Sequence, residues 1–371
     1  DEIETQMFLF QKGDTKMGLR YDGTVGLSRY VAGHLNDLAF PFRAYQFARN
    51  YRGERPQRGR YREFYQMDVD ILGIGELSTN YDAEIVATLS KMYESISDIV
   101  GGVKIKIGNR KFWNAMFEYL ELNEQQCRDA FILIDKKDKL KDFENALCDI
   151  IGQQKTAELN KVFSDGYRSF LNKSKNLQNA ISEIDSFMEL LKTMDIKNAE
   201  IDMSIMRGHA YYTGIVFEFF STKYPDLPAI GGGGRYENLA SKFSKTKIVG
   251  VGASVGISRL MVALMENNLL DLSKFETNID AVVLVMGNNN VPYAMNTAKK
   301  LRDRNITTVA YLDTDKKFKN QIEYADKISA KFSIIIGDNE VKNKVVAVKN
   351  MSDGNQQTLS VSDAIKLIKG A

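Results

Sequence analysis

Six arginines fall within the fourteen residues from Arg49 to Arg62, between two strand-like segments, Phe42 to Ala48 and Tyr61 to Ile71. The second segment alternates with period two. Tyr65, Met67, Val69 and Ile71 point one way, and Arg60, Arg62, Phe64, Gln66, Asp68 and Asp70 point the other. One face is apolar and must be covered; the other carries charge. The cationic and carboxylate ends of that face, Arg62 and Asp70, lie roughly 26 Å apart at about 3.3 Å per residue. Arginine forks grip phosphate oxygens in pairs, so the gradient suits a substrate with phosphates at one end. The competing reading is a solvated hairpin with charged edges.

Around this segment, residues 1 to 108 alternate strand and helix signals, with further strands at Met7 to Phe10 and Met17 to Arg20. A long helix starts at Asn80 or Asp82, carries Ile85, Val86, Leu89, Met92, Ile96 and Ile99 at helical spacing, and stops at Gly101-Gly102. Val103, Ile105 and Ile107 then alternate with lysines as a strand. From 109 to 198 the sequence turns charged, helix-forming and free of proline, as an inserted helical module would be. Strand character returns at Ile215 to Phe220, and the glycines Gly231 to Gly234 and a Gly-rich strand-to-helix segment, Val249 to Leu264, close the 199–272 part. Residues 279 to 371 alternate strand and helix regularly, which predicts a compact α/β domain with a largely parallel sheet.

The charges nearly cancel, 50 Lys and Arg against 48 Asp and Glu, so any affinity for nucleic acid must come from local basic surfaces. Cys127 and Cys148 both fall in helical sequence, which argues against a disulfide framework and for a reducing, cytoplasmic compartment. With only His34 and His209 beside them, soft ligands are too few for a structural zinc site, and no metal ligand set is expected. No apolar run reaches the roughly 18 residues that span a bilayer, so no membrane association is expected. The chain starts at Asp1 and reaches a strand almost at once, which leads to the expectation of a further N-terminal portion.

The segment Arg49 to Asp70 resembles motif 2 of the class II aminoacyl-tRNA synthetases, in the form typical of histidyl-tRNA synthetases. The resemblance implies that Arg52 holds the α-phosphate of ATP, Glu54 faces the adenine amino group, Phe64 stacks on the adenine, and Arg55, Arg58, Arg60 and Arg62 reach the acceptor end of tRNA(His). Gln66 and Asp70 match positions that hold the histidine. Leu19-Arg20-Tyr21-Asp22-Gly23-Thr24 resembles the turn that receives the substrate's α-ammonium, with Asp22 and Thr24 in that role; on residue type alone, Asp-Gly is a turn signal. Arg207 to Gly214 resembles a signature peculiar to this family, in which Arg207 supports the transferring phosphate and the carboxylate, and Tyr211 and Tyr212 wall the imidazole pocket. A Tyr pair before a strand is also common core packing. The family usually has Leu-Asp where this chain has His209-Ala210.

Ala229 to Glu237 matches a family motif in which bare glycine backbone lies close to the ligand; by themselves four glycines also read as a flexible loop. Val249 to Leu260 resembles motif 3, whose helix-borne arginine, here Arg259, meets the γ-phosphate, with Ser258 in place of the usual Glu. A dinucleotide fingerprint is excluded by the spacing of Gly250, Gly252 and Gly256. Residues 279 to 371 resemble the anticodon-binding domain of several class II synthetases.

The resemblance implies an α+β fold: a class II antiparallel sheet flanked by helices, divided as 1–108, a helical insertion 109–198, and 199–272, then the α/β anticodon-binding domain 279–371. It implies ATP-dependent histidine activation and transfer to tRNA(His), with Arg52, Arg207 and Arg259 catalytic, Mg²⁺ accompanying ATP, and a homodimer whose motif 1 precedes this region. The rival is a histidine-sensing regulatory subunit of ATP phosphoribosyltransferase. Such paralogues lack the anticodon domain and have degraded arginine motifs, and this chain keeps both.

Overall fold

The structure, a computed structural model, describes residues 5–137, 140–206, 211–270 and 278–370, with the side chains at 241 and 242 set aside. It divides into two compact units, Asp1–Leu270 and Asp271–Ala371. In the first, β1 (Leu9–Lys12) and β2 (Thr15–Gly18) form a small exposed hairpin. The main strands are β3 (Phe42–Tyr51), β4 (Glu63–Ile74), β5 (Val103–Asn109), β6 (Ala199–Ile201), β7 (Tyr212–Ser221), β8 (Gly231–Tyr236) and β9 (Ile248–Val255). They assemble in the order β3-β4-β9-β8-β7-β5-β6, antiparallel throughout except for the β5/β6 pair.

One face of this sheet is covered by the helix Asn80–Ser95, which buries Ala83, Ile85, Val86, Leu89 and Tyr93 against Ile71, Phe217, Phe219, Val251 and Ala253. The helices between β5 and β6 belong to the same core: Trp113, Phe117, Leu147, Leu159, Phe170 and Ile181 are continuous with the sheet's apolar face. Their boundaries follow local chemistry. The Asn109 side chain caps the helix Arg110–Tyr119, Asn123 and Gln126 form a reciprocal capping box on Glu124–Asp135, and Ser174 caps Lys175–Thr193.

One sequence expectation is corrected here, and one alternative is settled. β4 begins at Glu63, so Arg60 and Arg62 sit in the loop rather than on the strand's polar face. The backbone there is diverted into loop closure, with Arg52 N donating to Arg62 O at 2.9 Å and Gln57 pairing with Arg60. The four glycines Gly231 to Gly234 are no flexible loop but the buried central strand β8. Their flanks leave no room for side chains: a Cβ at Gly233 would collide with the carbonyl of Gly252, and one at Gly234 would reach Tyr212.

The second unit holds β10 (Ala281–Val285), β11 (Thr308–Tyr311), β12 (Phe332–Ile336), β13 (Val346–Asn350) and β14 (Gln356–Leu359), in the order β11-β10-β12-β13-β14. The expected largely parallel sheet is mixed instead: β10 pairs parallel with β11 and β12, whereas β12/β13 and β13/β14 are antiparallel. Between β12 and β13 the chain makes only the short helix Asp338–Asn343, too little for a crossover, which needs about a dozen residues or more. Helices Val291–Arg302 and Val361–Lys369 bury Ala294, Ala298, Leu301, Ala364 and Ile368 on one face of the sheet, and Phe318–Lys327 covers the other with Ala325 and Ile322.

Candidate active site

On β4, Met67, Val69 and Ile71 turn toward the helix-covered core, while Gln66, Asp68 and Asp70 face the opposite side. That side is not solvated: Asp68 and Asp70 are each 1% exposed. The helix Gly23–Gly33 comes so close that a Cβ at Gly23 would collide with Asp68 Oδ2, and on the neighbouring β9 one at Gly252 would collide with Asp70 Oδ1. Bare backbone at these two places lets carboxylates lie where side chains would otherwise stand.

Three buried carboxylates share this pocket. Asp22 caps the Gly23–Gly33 helix through Val25 N at 2.9 Å and accepts a hydrogen bond from Tyr211. Asp68 Oδ1 accepts from Gln66 Nε2 at 2.6 Å, and Asp70 Oδ1 accepts from the Tyr236 hydroxyl at 2.9 Å. Asp70 Oδ2 is buried with no hydrogen-bond partner, while the Ser254 hydroxyl on β9 partly compensates Asp68. Burial raises all three carboxyls above their ordinary range, Asp70 to about 8, where the neighbouring Asp68 charge adds to the effect and the Tyr236 hydroxyl opposes it. Uncompensated buried anions are costly, so the pocket is matched to a ligand with cationic and N–H groups. Thr24 is buried in the first turn beside it, and Tyr211, Tyr212 and Tyr236 form a cluster with ring centroids 4.8 and 6.1 Å apart.

The arginine loop adjoins this pocket. Arg52 donates to Tyr21 O at 3.3 Å, lies 4.6 Å from the Tyr21 ring centre and 5.1 Å from that of Phe64, and exerts its charge on both Asp22 and Asp68. Glu54 stands 4.0 Å from Arg52 and 3.2 Å from Arg60, and Arg62 donates to the Glu54 carbonyl. Arg259, in the first turn of the helix Ile257–Glu266, donates to Gly59 O at 3.1 Å and to Ala229 O, so it pins the loop to the end of β8. From the same helix, Glu266 accepts from Arg58 Nε at 2.9 and 3.1 Å and from its Nη2 at 2.5 Å, and the Ser258 hydroxyl accepts from Tyr65 N at 2.8 Å. Ser258 thus ties this helix to β4 by a neutral hydrogen bond. Arg55 and Arg62 are exposed.

The structure therefore gathers Asp22, Thr24, Gln66, Asp70, Tyr211 and Tyr212 at one pocket, with Arg52, Glu54 and Phe64 beside it and Arg259 joined to them through the loop. Arg207, His209 and Ala210 lie outside the described residues. Two residues that the sequence reading assigned no role, Asp68 and Tyr236, complete the acidic pocket. Asp68 shares its parity on β4 with Gln66 and Asp70, a signal that was legible; the Tyr236 contact joins positions 166 residues apart and was not.

Residues 2–260 match the family model for histidyl-tRNA synthetase, and residues 280–371 match that for an anticodon binding domain. The chain is 36% identical over 385 residues to the histidine–tRNA ligase of Clostridium tetani, covering 100% of this chain and 86% of that protein. It is 36% identical over 391 residues to that of Finegoldia magna, covering 99% and 87%. Among solved structures it resembles histidyl-tRNA synthetase from Nostoc sp. PCC 7120, with TM-score 0.63, 28% identity and coverage of 98% and 86%. It shares only its fold, at 20% identity and TM-score 0.61, with an ATP phosphoribosyltransferase regulatory subunit/histidyl-tRNA synthetase from Bacillus halodurans, covering 90% and 83%. The chain belongs to the histidyl-tRNA synthetase family.

Proposed function

We propose that this chain works as a histidine–tRNA ligase through the site just described, and that the pairing of an acidic pocket with an arginine loop carries the reading. The pocket of Asp22, Asp68 and Asp70 suits an α-ammonium and an imidazole, and the guanidinium groups beside it suit a triphosphate. Asp22 and Thr24 receive the ammonium; Gln66, Asp70, Tyr211 and Tyr212 hold the ring. Arg52 takes the α-phosphate and Arg259 the γ-phosphate, each exchanging its present carbonyl partner for phosphate oxygens. Glu54 and Phe64 hold the adenine, and Arg207 supports the phosphate and the histidine carboxylate.

In the first step a carboxylate oxygen of histidine attacks the α-phosphorus in line. The new O–P bond forms as the bond to the β-phosphate breaks, and pyrophosphate leaves with the electron pair. In the second, the terminal ribose hydroxyl of the tRNA attacks the acyl carbon; the new ester C–O bond forms as the bond from the acyl carbon to the phosphate oxygen breaks, AMP leaves with the electron pair, and the hydroxyl proton passes to the phosphate. Catalysis is then chiefly positioning and neutralisation of developing charge. Arg55 and Arg62, exposed on the loop, are the first to meet the acceptor end, and Arg58 and Arg60 follow once Glu266 and Glu54 release them.

Mg²⁺ is proposed to arrive with ATP. Among the described residues no group of three or more His, Cys, Asp or Glu could hold a metal, so the fit is to an ion carried by phosphate oxygens and water rather than to a protein cage. We also propose a homodimer and a cytoplasmic place of work. For the dimer, the support is the edge strand β3, whose outer face leaves Tyr45 and Phe47 at 81% and 60% exposure. No helix among the described residues is long and apolar enough to cross a membrane.

Histidine-dependent ATP–pyrophosphate exchange, measured against the other amino acids, tests the reading. Exchange with histidine alone is expected, and Arg207→Ala should nearly abolish it. Histidine binding without exchange would overturn the ligase reading in favour of a sensor.

A further inference from the structure

The segment that runs into Arg207 is clamped at every step. Asp202 N donates to Ile107 O at 2.8 Å, and its carboxylate takes Lys106 at 2.7 Å and Ser204 N at 3.0 Å. The next backbone passes so close over Gly108 that a Cβ there would collide with Ile205 O. Two side chains of the helix Arg110–Tyr119 then hold the last carbonyls: the buried Trp113 indole N–H donates to Met203 O at 2.9 Å, and Arg110 donates to Met206 O at 3.4 Å. Met203 and Met206 are both buried. Arg110 has a second attachment, since its guanidinium lies 4.5 Å from the ring centre of Phe131 and beside Asp135, both on the inserted helix Glu124–Asp135.

We propose that Arg110 is a positioning residue for Arg207: it joins the carbonyl immediately before that arginine to the helical insertion, so that the seating of the insertion sets where the arginine reaches. This rests on the role given to Arg207 under the proposed function. An arginine carries the link because one planar guanidinium can lie on an aromatic face and still donate from its edge. The insertion thereby touches the chemistry without contributing a group to it, and whatever moves the helix Glu124–Asp135 changes the rate of adenylate formation.

The test is steady-state histidine-dependent pyrophosphate exchange on the full chain carrying Arg110→Met, Arg110→Lys or Trp113→Phe, with thermal melts alongside. A small displacement of a catalytic group costs up to about a hundredfold in rate, so Arg110→Met should lower kcat by roughly ten- to a hundredfold, with KM for histidine and ATP changing by less than kcat does. Arg110→Lys, which keeps a donor for Met206 O, should recover most of that rate. Trp113→Phe, which keeps the ring and loses the donor, should fall in the same direction. A folded Arg110→Met with parental kcat overturns the proposal, as does a variant impaired only through KM. Should Arg110→Met fail to fold, parental kcat in both Arg110→Lys and Trp113→Phe would overturn it. A parent with no exchange sinks the ligase reading and this proposal together; an active parent with an equally active Arg110→Met sinks this proposal alone.

Discussion

At the scale of single residues, the pocket holds more negative charge than the empty fold can comfortably carry. Asp70 is raised from 3.8 to about 8 by burial first and by Asp68 second. Between those pH values the folded chain binds the proton that the unfolded chain has lost, so the stability this group contributes falls as pH rises through that window. Asp70→Asn is therefore expected to melt higher than the parent at pH 8, with the difference shrinking toward pH 4, while histidine binding weakens. Scanning fluorimetry across pH, with titration calorimetry for histidine, checks both halves; equal melting at pH 8 would deny the burial cost. Arg259 is argued differently, because it faces carbonyls that phosphates would replace. Removing one preorganised charge-stabilising group costs about 10²- to 10³-fold in kcat, and Arg259→Ala should lose that much in pyrophosphate exchange.

At the scale of elements, β8 and β9 work by what they lack. Gly252 on β9 leaves the space that Asp70 occupies, so Gly252→Ala drives a methyl group into the carboxylate. The expected result is overpacking of about 1–3 kcal/mol and a rise in the KM for histidine, read by melts and exchange kinetics. On the other face of β8, Arg235 fastens the sheet to the helix Asn80–Ser95. It meets Asp82 with its Nε and Nη2 at 2.8 to 3.1 Å, and it donates to Leu77 O and Ser78 O. Both partners are nearly fully buried. Every guanidinium nitrogen is used, which is why the pair is tolerated in an apolar layer. Arg235→Met would strand the Asp82 carboxylate, already raised to about 6 by burial, at a cost of about 3–5 kcal/mol in denaturant unfolding.

At the scale of the whole molecule, each compact unit has its own core. The second is built around Val283, Val285, Ile334 and Ile336 on one side of its sheet and Val282, Leu284 and Ala325 on the other. A sheet covered on both faces meets the ordinary requirement for independent folding. Residues 279–371 expressed alone should melt cooperatively by circular dichroism, and residues 1–270 alone should keep histidine-dependent exchange while losing most of their tRNA charging. Loss of exchange in a well-folded 1–270 fragment would show that the chemistry needs the second unit.

Much of this was legible along the chain because strand and helix report themselves locally. The alternation on β4 separated Met67, Val69 and Ile71 from Gln66, Asp68 and Asp70, and the residues that resemble family motifs pointed to Arg52, Asp22 and Arg259 as members of one site. What alternation cannot say is what covers a face. A solvated hairpin stood as the alternative for Gln66, Asp68 and Asp70, and a flexible loop for Gly231 to Gly234; only the Gly23–Gly33 helix and the β9 glycines over the first, and β7 and β9 flanking the second, decide between the readings. Periodicity depends on neighbours a few residues away, and the amino-acid sequence by itself determined those. The pairing of Tyr236 with Asp70 and of Arg235 with Asp82 depends on the strand order β4-β9-β8-β7 and on which helix lies over it, and only the tertiary structure decided that, because long-range packing brings together groups whose spacing along the chain carries no periodic signal.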